Sequence, residues 1–171
     1  MAFEPPSEVH GALPSERLER FLRAAAVDHE FVAPGVAMPT VSAAAAALGV
    51  PESSILKTLV FETDDGTYLA AVTSGAIRVD RRKLAAAAGL RRLVFASPDA
   101  VRRVTGHPAG GVAPVGHQTA FPLVVDQAVL GLPVAWAGGG DASLLLRIAP
   151  ADIVRLTNAT VADIQAEPAP H

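Results

Sequence analysis

The sequence contains no cysteine, and this absence narrows the chemistry open to the chain. None of its 171 residues offers a thiol for a disulfide, a thiolate metal ligand or a cysteine nucleophile. No apolar run approaches the roughly 20 residues that span a bilayer. Residues 1–15 also lack the basic start and continuous apolar stretch of a signal peptide. We therefore expect a cytoplasmic protein with no membrane partner.

Lysine and net positive charge are also scarce. The chain has only two lysines and a formal net charge of −3, which argues mildly against a nucleic-acid partner because phosphate contacts need lysine and arginine. Residues 78–103 are the exception, with eight basic side chains against two acidic ones. On charge alone, this basic window is equally typical of a solvated helical face and of a phosphate-binding surface.

The length and the order of element signals indicate one domain of the α/β (α+β) class. A chain of this size buries roughly 70% of its unfolded surface on folding. Strand-like residues 55–62 and 67–72 flank Asp64-Asp65-Gly66, which is typical of a hairpin. We predict a mixed, largely antiparallel, curved sheet with helices packed around it over residues 16–165. Residues 1–15 are predicted to form a loose lead-in and residues 166–171 a disordered tail.

Capping residues and glycines predict where the helices begin and end. Ser15, Thr40, Asp80 and Ser97 are the predicted N-caps, and residues 150–156 fit a last helix. The predicted helix ends are Gly49, Gly89 and Gly106, and further strands are predicted at 29–33, 123–126, 133–137 and 144–148.

Lys57 is unusual because it lies inside a predicted strand that is apolar on both faces. An ammonium group there must extend to the sheet edge, pair with a carboxylate, or meet an anionic ligand in a cavity. The sequence leaves a structural role and a ligand-binding role open. Ser54 precedes it by three residues, as in S-x-x-K hydrolases, but that motif needs a helix and partner motifs that are absent here.

The segment from Gly106 to Gly116 has four glycines and two prolines in eleven positions. Such a loop is either a surface connection or a rigid stretch whose backbone N–H groups point at an anion or a carbonyl oxygen. A second cluster, Gly138-Gly139-Gly140, lacks the spacing of a dinucleotide-binding motif. His107 and His117 could share a metal, but no third ligand has a fixed spacing to them, so we predict no metal and no cofactor.

Several of these stretches, in order and spacing, resemble the YbaK/ProX family. They are Ile-Leu-Lys-Thr-Leu-Val-Phe at 55–61, Val-Asp-Arg-Arg-Lys-Leu at 79–84, and Gly-Gly-Val-Ala-Pro-Val-Gly at 110–116. The resemblance continues through residues 137–140 and 147–153 and spans about residues 16–165. Members of this family are aminoacyl-tRNA deacylases, and related domains form the editing insertion of bacterial prolyl-tRNA synthetases.

The resemblance implies roles for individual residues. Lys57 matches the family's pocket lysine, which binds the phosphate or carbonyl end of the substrate, and Thr58 matches its pocket neighbour. Gly110 to Pro114 match a G-x-x-x-P loop that positions the ester carbonyl or a water, while Phe31 lines the amino-acid side. The catalytic set is then Lys57, Gly110, Gly111 and Pro114, and the further substrate-binding positions are Val112, Ala113, Gly116, Gly140 and Asp141.

The resemblance also assigns the basic window to the tRNA backbone. The predicted phosphate contacts are Arg78, Arg81, Arg82, Lys83, Arg102 and Arg103. One departure concerns the segment 135–145, where some relatives place a serine and an aspartate. Here the corresponding residues include Asp141 and Ser143, whose roles the sequence leaves open.

We therefore expect a free-standing, trans-acting deacylase of mischarged tRNA, with tRNA for proline carrying alanine or cysteine as the substrate. An aminoacyl ester is already activated, so positioning and polarisation by backbone N–H groups supply much of the rate without a nucleophilic side chain. The expected partners are the tRNA 3′ end and an aminoacyl-tRNA synthetase, with a monomer and a homodimer both open. The alternatives are an inactive tRNA- or translation-factor-binding module of the same fold, and a hydrolase of another activated ester.

Overall fold

The computed structural model describes residues 12–168, which form five α-helices, two short 3-10 helices and eight strands. The helices are α1 (Pro14–Ala24), α2 (Val41–Leu48), α3 (Arg81–Ala88), α4 (Pro98–Thr105) and α5 (Pro150–Thr157), and the 3-10 turns cover Glu52–Ser54 and Gln127–Gly131. The strands are β1 (His29–Val32), β2 (Leu56–Thr63), β3 (Tyr68–Ser74), β4 (Leu93–Phe95), β5 (Leu123–Asp126), β6 (Ala135–Gly138), β7 (Leu145–Ile148) and β8 (Thr160–Ala162).

The predicted mixed α/β architecture is confirmed, but its strands belong to two sheets. A five-stranded sheet has the order β4-β2-β3-β5-β8, in which β2 is antiparallel to β3 and β4, while β5 is parallel to β3 and β8. A smaller antiparallel sheet has the order β1-β7-β6. The two sheets meet where Ile55, just before β2, bridges Trp136 of β6.

Most helix boundaries follow from capping chemistry as predicted. The side chains of Thr40, Asp80 and Ser97 each accept backbone N–H bonds from the first turn of α2, α3 and α4. The predicted cap at Ser15 is wrong, because α1 begins one residue earlier at Pro14, with Leu13 as its N-cap. Proline suits the first helical position, where its missing N–H is not needed.

The two faces of the β2–β3 hairpin are covered by different elements. Leu56 and Val72 face the main core, which includes Leu18 and Leu22 of α1 and strands of the smaller sheet. Phe61 lies on the opposite face and packs against Leu84 of α3. Successive strand residues alternate between faces. Lys57 and Leu59 therefore point to the α3 side, whereas Thr58 and Val60 point to the side of α1 and α4.

The ends of the chain fall largely outside the described residues. Residues 1–11 of the predicted lead-in (1–15) and residues 169–171 of the predicted tail (166–171) lie outside the described residues. Ala166 is held in place, since its N–H donates to the Arg78 carbonyl at 2.9 Å. Between residues 12 and 168, no helix is long and apolar enough to cross a membrane.

Candidate active site

A cavity of about 230 Å³ opens at residues 57–59 of β2, where β3 pairs with one edge of the strand and the other edge has no partner strand. Towards the C-terminal end of β2, the free edge ends where β4 pairs with residues 61–63 and the Ala96 N–H donates to the Val60 carbonyl. Towards the N-terminal end, it ends at the bridge between Ile55 and Trp136. The cavity wall includes Met38, Pro39, Thr40, Val41, Ala44, Ile55, Leu56, Lys57, Thr58, Leu59, Ala109, Gly110, Val112, Gly138 and Leu145.

Lys57 supplies the only cationic side chain of this wall. Its Nζ donates to the Ile77 carbonyl oxygen at 2.7 Å, which fixes the side chain beside the cavity. Burial lowers the pKa of the Lys57 ammonium below its ordinary value, and the nearby positive charge of Arg78 lowers the pKa further. An ammonium carries three N–H donors, so two remain for an anionic or carbonyl ligand.

Thr58 presents both side-chain and backbone polar groups near Lys57. Its hydroxyl is buried and has no hydrogen-bond partner within residues 12–168. The Val60 carbonyl faces the open edge, where it accepts from Ala96, and Thr58 lies two residues earlier on the same strand. Because backbone groups of alternate strand residues face the same edge, the Thr58 N–H and C=O also face the cavity. Thr73 lies directly across the hairpin from Lys57. Its hydroxyl is also buried and has no hydrogen-bond partner among residues 12–168.

The glycine loop reaches the cavity through its backbone. Gly110 and Val112 line the wall, and their N–H groups donate to no acceptor among the described residues. The loop is held from behind, where the Gly111 carbonyl accepts the Gly140 N–H at 2.8 Å. A Cβ on Gly111 would lie 2.5 Å from the Asp141 carbonyl carbon, and one on Gly138 would lie 2.3 Å from the Val112 carbonyl oxygen. The second glycine cluster therefore allows two backbone segments to pack directly against each other.

Two histidines fix the loop at Ala113, which is fully buried. His107 Nδ1 accepts the Ala113 N–H at 3.2 Å, and His117 Nε2 is 2.6 Å from the Ala113 carbonyl, to which it donates. Burial lowers the pKa of His107 to about 3, helped by the charges of His117 and Arg17. Burial also lowers the pKa of His117 to about 4, against the opposing effect of its bond to Ala113. Both rings are therefore neutral, as their hydrogen bonds require.

The contacts of these histidines account for both rings without a metal. His107 and His117 lie edge to face at 5.8 Å between ring centroids, and His117 stacks on Phe121 at 5.1 Å. Within residues 12–168, no group of three or more His, Asp or Glu side chains could hold a metal ion.

The predicted site residues thus fall into two groups. Lys57, Thr58, Gly110 and Val112 line the cavity together. The others do not line it: Gly111, Ala113, Pro114, Gly116 and Gly140 support the loop or its packing, while Phe31 and Asp141 lie elsewhere.

Phe31 and Asp141 have contacts that explain their positions. Phe31 packs against the main core and makes an edge contact with His29 at 5.9 Å. The exposed Asp141 carboxylate accepts the Ser143 N–H at 2.8 Å and its hydroxyl at 2.6 Å. These bonds lower the pKa of Asp141 and hold its side chain in a turn. Neither Phe31 nor Asp141 supplies a group to the cavity.

Sequence reasoning missed the wall contributed by α2 and the loop before it. Met38, Pro39, Val41 and Ala44 form this wall, and they belong to no motif that would have distinguished them from ordinary core residues. Met38 and Pro39 also border a larger, mainly apolar cleft of about 680 Å³ that extends along residues 33–39 to Ser143.

The basic window is divided between the two faces of the five-stranded sheet. Helix α3 covers one face and α4 the other, with the edge strand β4 between them in the chain. Lys83 is the exception among the predicted phosphate contacts. Its Nζ is 3.1 Å from Asp163 and 3.4 Å from Glu167, so two carboxylates already neutralise it.

The remaining basic residues stay available. Arg81 lies over the Phe95 ring, and Arg103 donates to the Tyr68 hydroxyl at 2.7 Å. The exposed side chains of Arg78, Arg82 and Arg102 form no ion pair with any residue between 12 and 168.

Several known proteins are similar to this chain in sequence. Residues 36–156 match the family model described as an aminoacyl-tRNA editing domain. The chain is 28% identical over 120 residues to a protein of Enterococcus faecalis provisionally assigned as the Cys-tRNA(Pro)/Cys-tRNA(Cys) deacylase EbsC, covering 70% of this chain and 73% of EbsC. It is 38% identical over 99 residues to the proline–tRNA ligase of Geobacter sulfurreducens, covering 57% of this chain but only 17% of the ligase.

A solved structure shares nearly the whole fold. The crystal structure of a candidate trans-editing enzyme for prolyl tRNA synthetase superimposes with a TM-score of 0.79 and 32% identity. The superposition covers 94% of this chain and 100% of that one.

Proposed function

Because this chain belongs to the aminoacyl-tRNA editing domain family, we propose that it is a deacylase that hydrolyses the ester bond of mischarged aminoacyl-tRNA at the cavity beside Lys57. The observation that carries the proposal is the meeting of one cation with unpaired backbone donors at the free edge of β2. An activated ester needs little more than such groups and a water molecule.

The chemistry assigns separate tasks to the two sides of the cavity. Attack by a water oxygen on the ester carbonyl carbon forms a tetrahedral intermediate with a negatively charged oxygen. The free N–H groups of Gly110 and Val112 are suited to stabilise that oxygen, because donors fixed before the reaction need no reorganisation. The bond to the ribose oxygen then breaks, and this oxygen takes up the proton released by the water. Lys57 is suited to hold the phosphate or carbonyl end of the substrate through its two remaining N–H donors.

The proposed substrate is tRNA for proline carrying alanine or cysteine. The names of the E. faecalis and Geobacter relatives connect them with Cys-tRNA(Pro) and with proline–tRNA ligase. A cavity of about 230 Å³ lined mainly by small and aliphatic residues favours a small amino acid. The proposed partner beyond tRNA is the synthetase that produces the mischarged molecule.

The test is release of amino acid from a panel of correctly and wrongly charged tRNAs. Lys57→Ala is expected to lower the rate by about 100-fold or more, because a substrate that is no longer held at its phosphate or carbonyl end is misplaced for the reaction. Lys83→Ala is the matched control, since it removes the only other lysine and lies at a surface ion pair.

The panel separates this proposal from the alternatives. Rapid release from mischarged tRNA that Lys57→Ala abolishes and Lys83→Ala leaves intact supports the deacylase. Binding of tRNA without release by the folded protein would instead support an inactive binding module, and equal hydrolysis of free aminoacyl esters would support a general esterase.

A further inference from the structure

Phe95 is the only exposed side chain among the phenylalanine, tyrosine and tryptophan residues between positions 12 and 168. It lies on the edge strand β4 with 61% of its surface exposed, and its ring stacks on the buried Phe61 at 4.8 Å between centroids and 28° between planes. A single exposed apolar residue needs no explanation by itself. The Arg81 guanidinium over its ring is what sets Phe95 apart.

One arginine without an ion-pair partner lies over this ring, and three others are close to it or to Arg81 in the sequence. The Arg81 guanidinium carbon is 5.7 Å from the Phe95 ring centroid. The exposed Arg82, Arg91 and Arg92 form no ion pair with the other described residues. An aromatic ring beside unpaired arginines is the arrangement that binds unpaired nucleotides, because the ring stacks with a base while the guanidinium groups bind phosphate.

The position of Phe95 relative to the cavity indicates which nucleotides it would meet. Phe95 is directly opposite Phe61 in the β2–β4 register, and Phe61 is four residues along β2 from Lys57. At a strand rise of about 3.3 Å per residue, Lys57 and Phe61 are roughly 13 Å apart along β2. Phe61 and Lys57 lie on the same face of the sheet, as does Phe95. A single strand whose last nucleotide occupies the cavity can therefore run along β2 to this ring.

We infer that Phe95 is a stacking platform for an unpaired base in the single-stranded 3′ end of the tRNA, upstream of the aminoacylated nucleotide. Phe61 supports the ring from the core, and the Arg81 guanidinium, which lies over the ring at 5.7 Å, would move outward so that the base enters between the two. This assignment rests on the proposed function, because it takes tRNA as the ligand. It adds a recognition element that neither the cavity nor contacts to phosphate provide.

The experiment measures binding of two RNA hairpins with the same stem, one blunt-ended and one with a single-stranded 3′ extension. The intact protein is expected to bind the extended hairpin about 10-fold more tightly than the blunt one, a typical stacking contribution. Phe95→Ala should bind both hairpins equally, and Phe95→Tyr should restore the preference. Val161→Ala is the matched control, since Val161 is an exposed residue on β8, at the opposite edge of the same sheet.

Deacylation of charged tRNA separates failure of this inference from failure of the proposed function. We expect Phe95→Ala to raise KM for charged tRNA about 10-fold with kcat unchanged, and to leave hydrolysis of aminoacyl-adenosine unaffected. Unaltered KM and unaltered hairpin preference in Phe95→Ala would overturn the stacking platform while leaving the deacylase intact. A leucine at this position that served as well as tyrosine would also overturn it, because leucine supplies apolar area without a ring.

Discussion

At the scale of single residues, the two adjacent glycines of the loop have opposite steric surroundings. A Cβ on Gly111 would come within 2.9 Å of three backbone atoms of Asp141 and Ala142, whereas a Cβ on Gly110 would meet only the Ala142 side chain at 3.9 Å. The sequence predicted that glycines here allow close approach of the main chain. It did not predict that the approaching group at Gly111 is another segment of this chain, since this depends on how residues 138–142 fold back.

This difference predicts unequal effects of alanine at the two positions. Gly111→Ala forces backbone apart and should lower the free energy of unfolding by about 1–3 kcal/mol, the usual cost of overpacking. Gly110→Ala should change stability by less than about 0.5 kcal/mol, while the added bulk at a residue of the cavity wall should lower deacylation. Urea denaturation of both variants checks this expectation. Equal destabilisation by the two substitutions would contradict the packing of Gly111 against residues 141 and 142.

At the scale of elements, helix boundaries were the most predictable feature and short edge strands the least. Thr40, Asp80 and Ser97 cap their helices locally, so a few neighbouring residues suffice to reveal them. Strands β4 and β8 have three residues each and were missed, because so short a segment has no measurable alternation. The cavity opens where β4 no longer pairs with β2, and its α2 wall depends on tertiary packing that no local sequence pattern shows.

The stability that the glycine loop contributes depends on the protonation of His107 and His117, the two histidines that hold Ala113. Their pKa values, about 3 and about 4, lie below the ordinary value of 6.5, so above the folded pKa values the unfolded chain binds more protons. The free energy of unfolding therefore rises with pH between the folded pKa values and about 6.5, and this stabilisation is lost on acidification. We expect it to fall by up to about 1.4 kcal/mol per pH unit for each histidine as pH decreases from about 6.5 to about 5.

A variant isolates one half of this effect. His117→Phe keeps an aromatic ring against Phe121 but removes one titrating group, so its stability should depend on pH about half as steeply in this window. Denaturation curves at several pH values measure the slope. A slope equal to that of the intact protein would show that His117 is not held neutral by the fold.

At the scale of the whole molecule, an acidic protein is proposed to bind a polyanion through a confined surface. The net charge of −3 conceals the basic window, and the fold places its two helices on opposite faces of one sheet. The sequence located these charges correctly along the chain. It could not show that Lys83 is neutralised by Asp163 and Glu167, which are 80 and 84 residues away.

The salt dependence of tRNA binding tests whether both faces of this surface are used. Each lost phosphate contact reduces the slope of log affinity against log salt by about 0.9, so Arg82→Ala on α3 and Arg102→Ala on α4 should each lower the slope by about that amount. Lys83→Ala should leave it unchanged because its charge is already paired, as should Arg155→Ala, whose guanidinium is 3.2 Å from Asp152 outside the window. A reduced slope for Arg82→Ala alone would confine the tRNA backbone to the α3 face, the side of Phe95 and Lys57. Reduced slopes for both variants require a tRNA that straddles the edge strand β4.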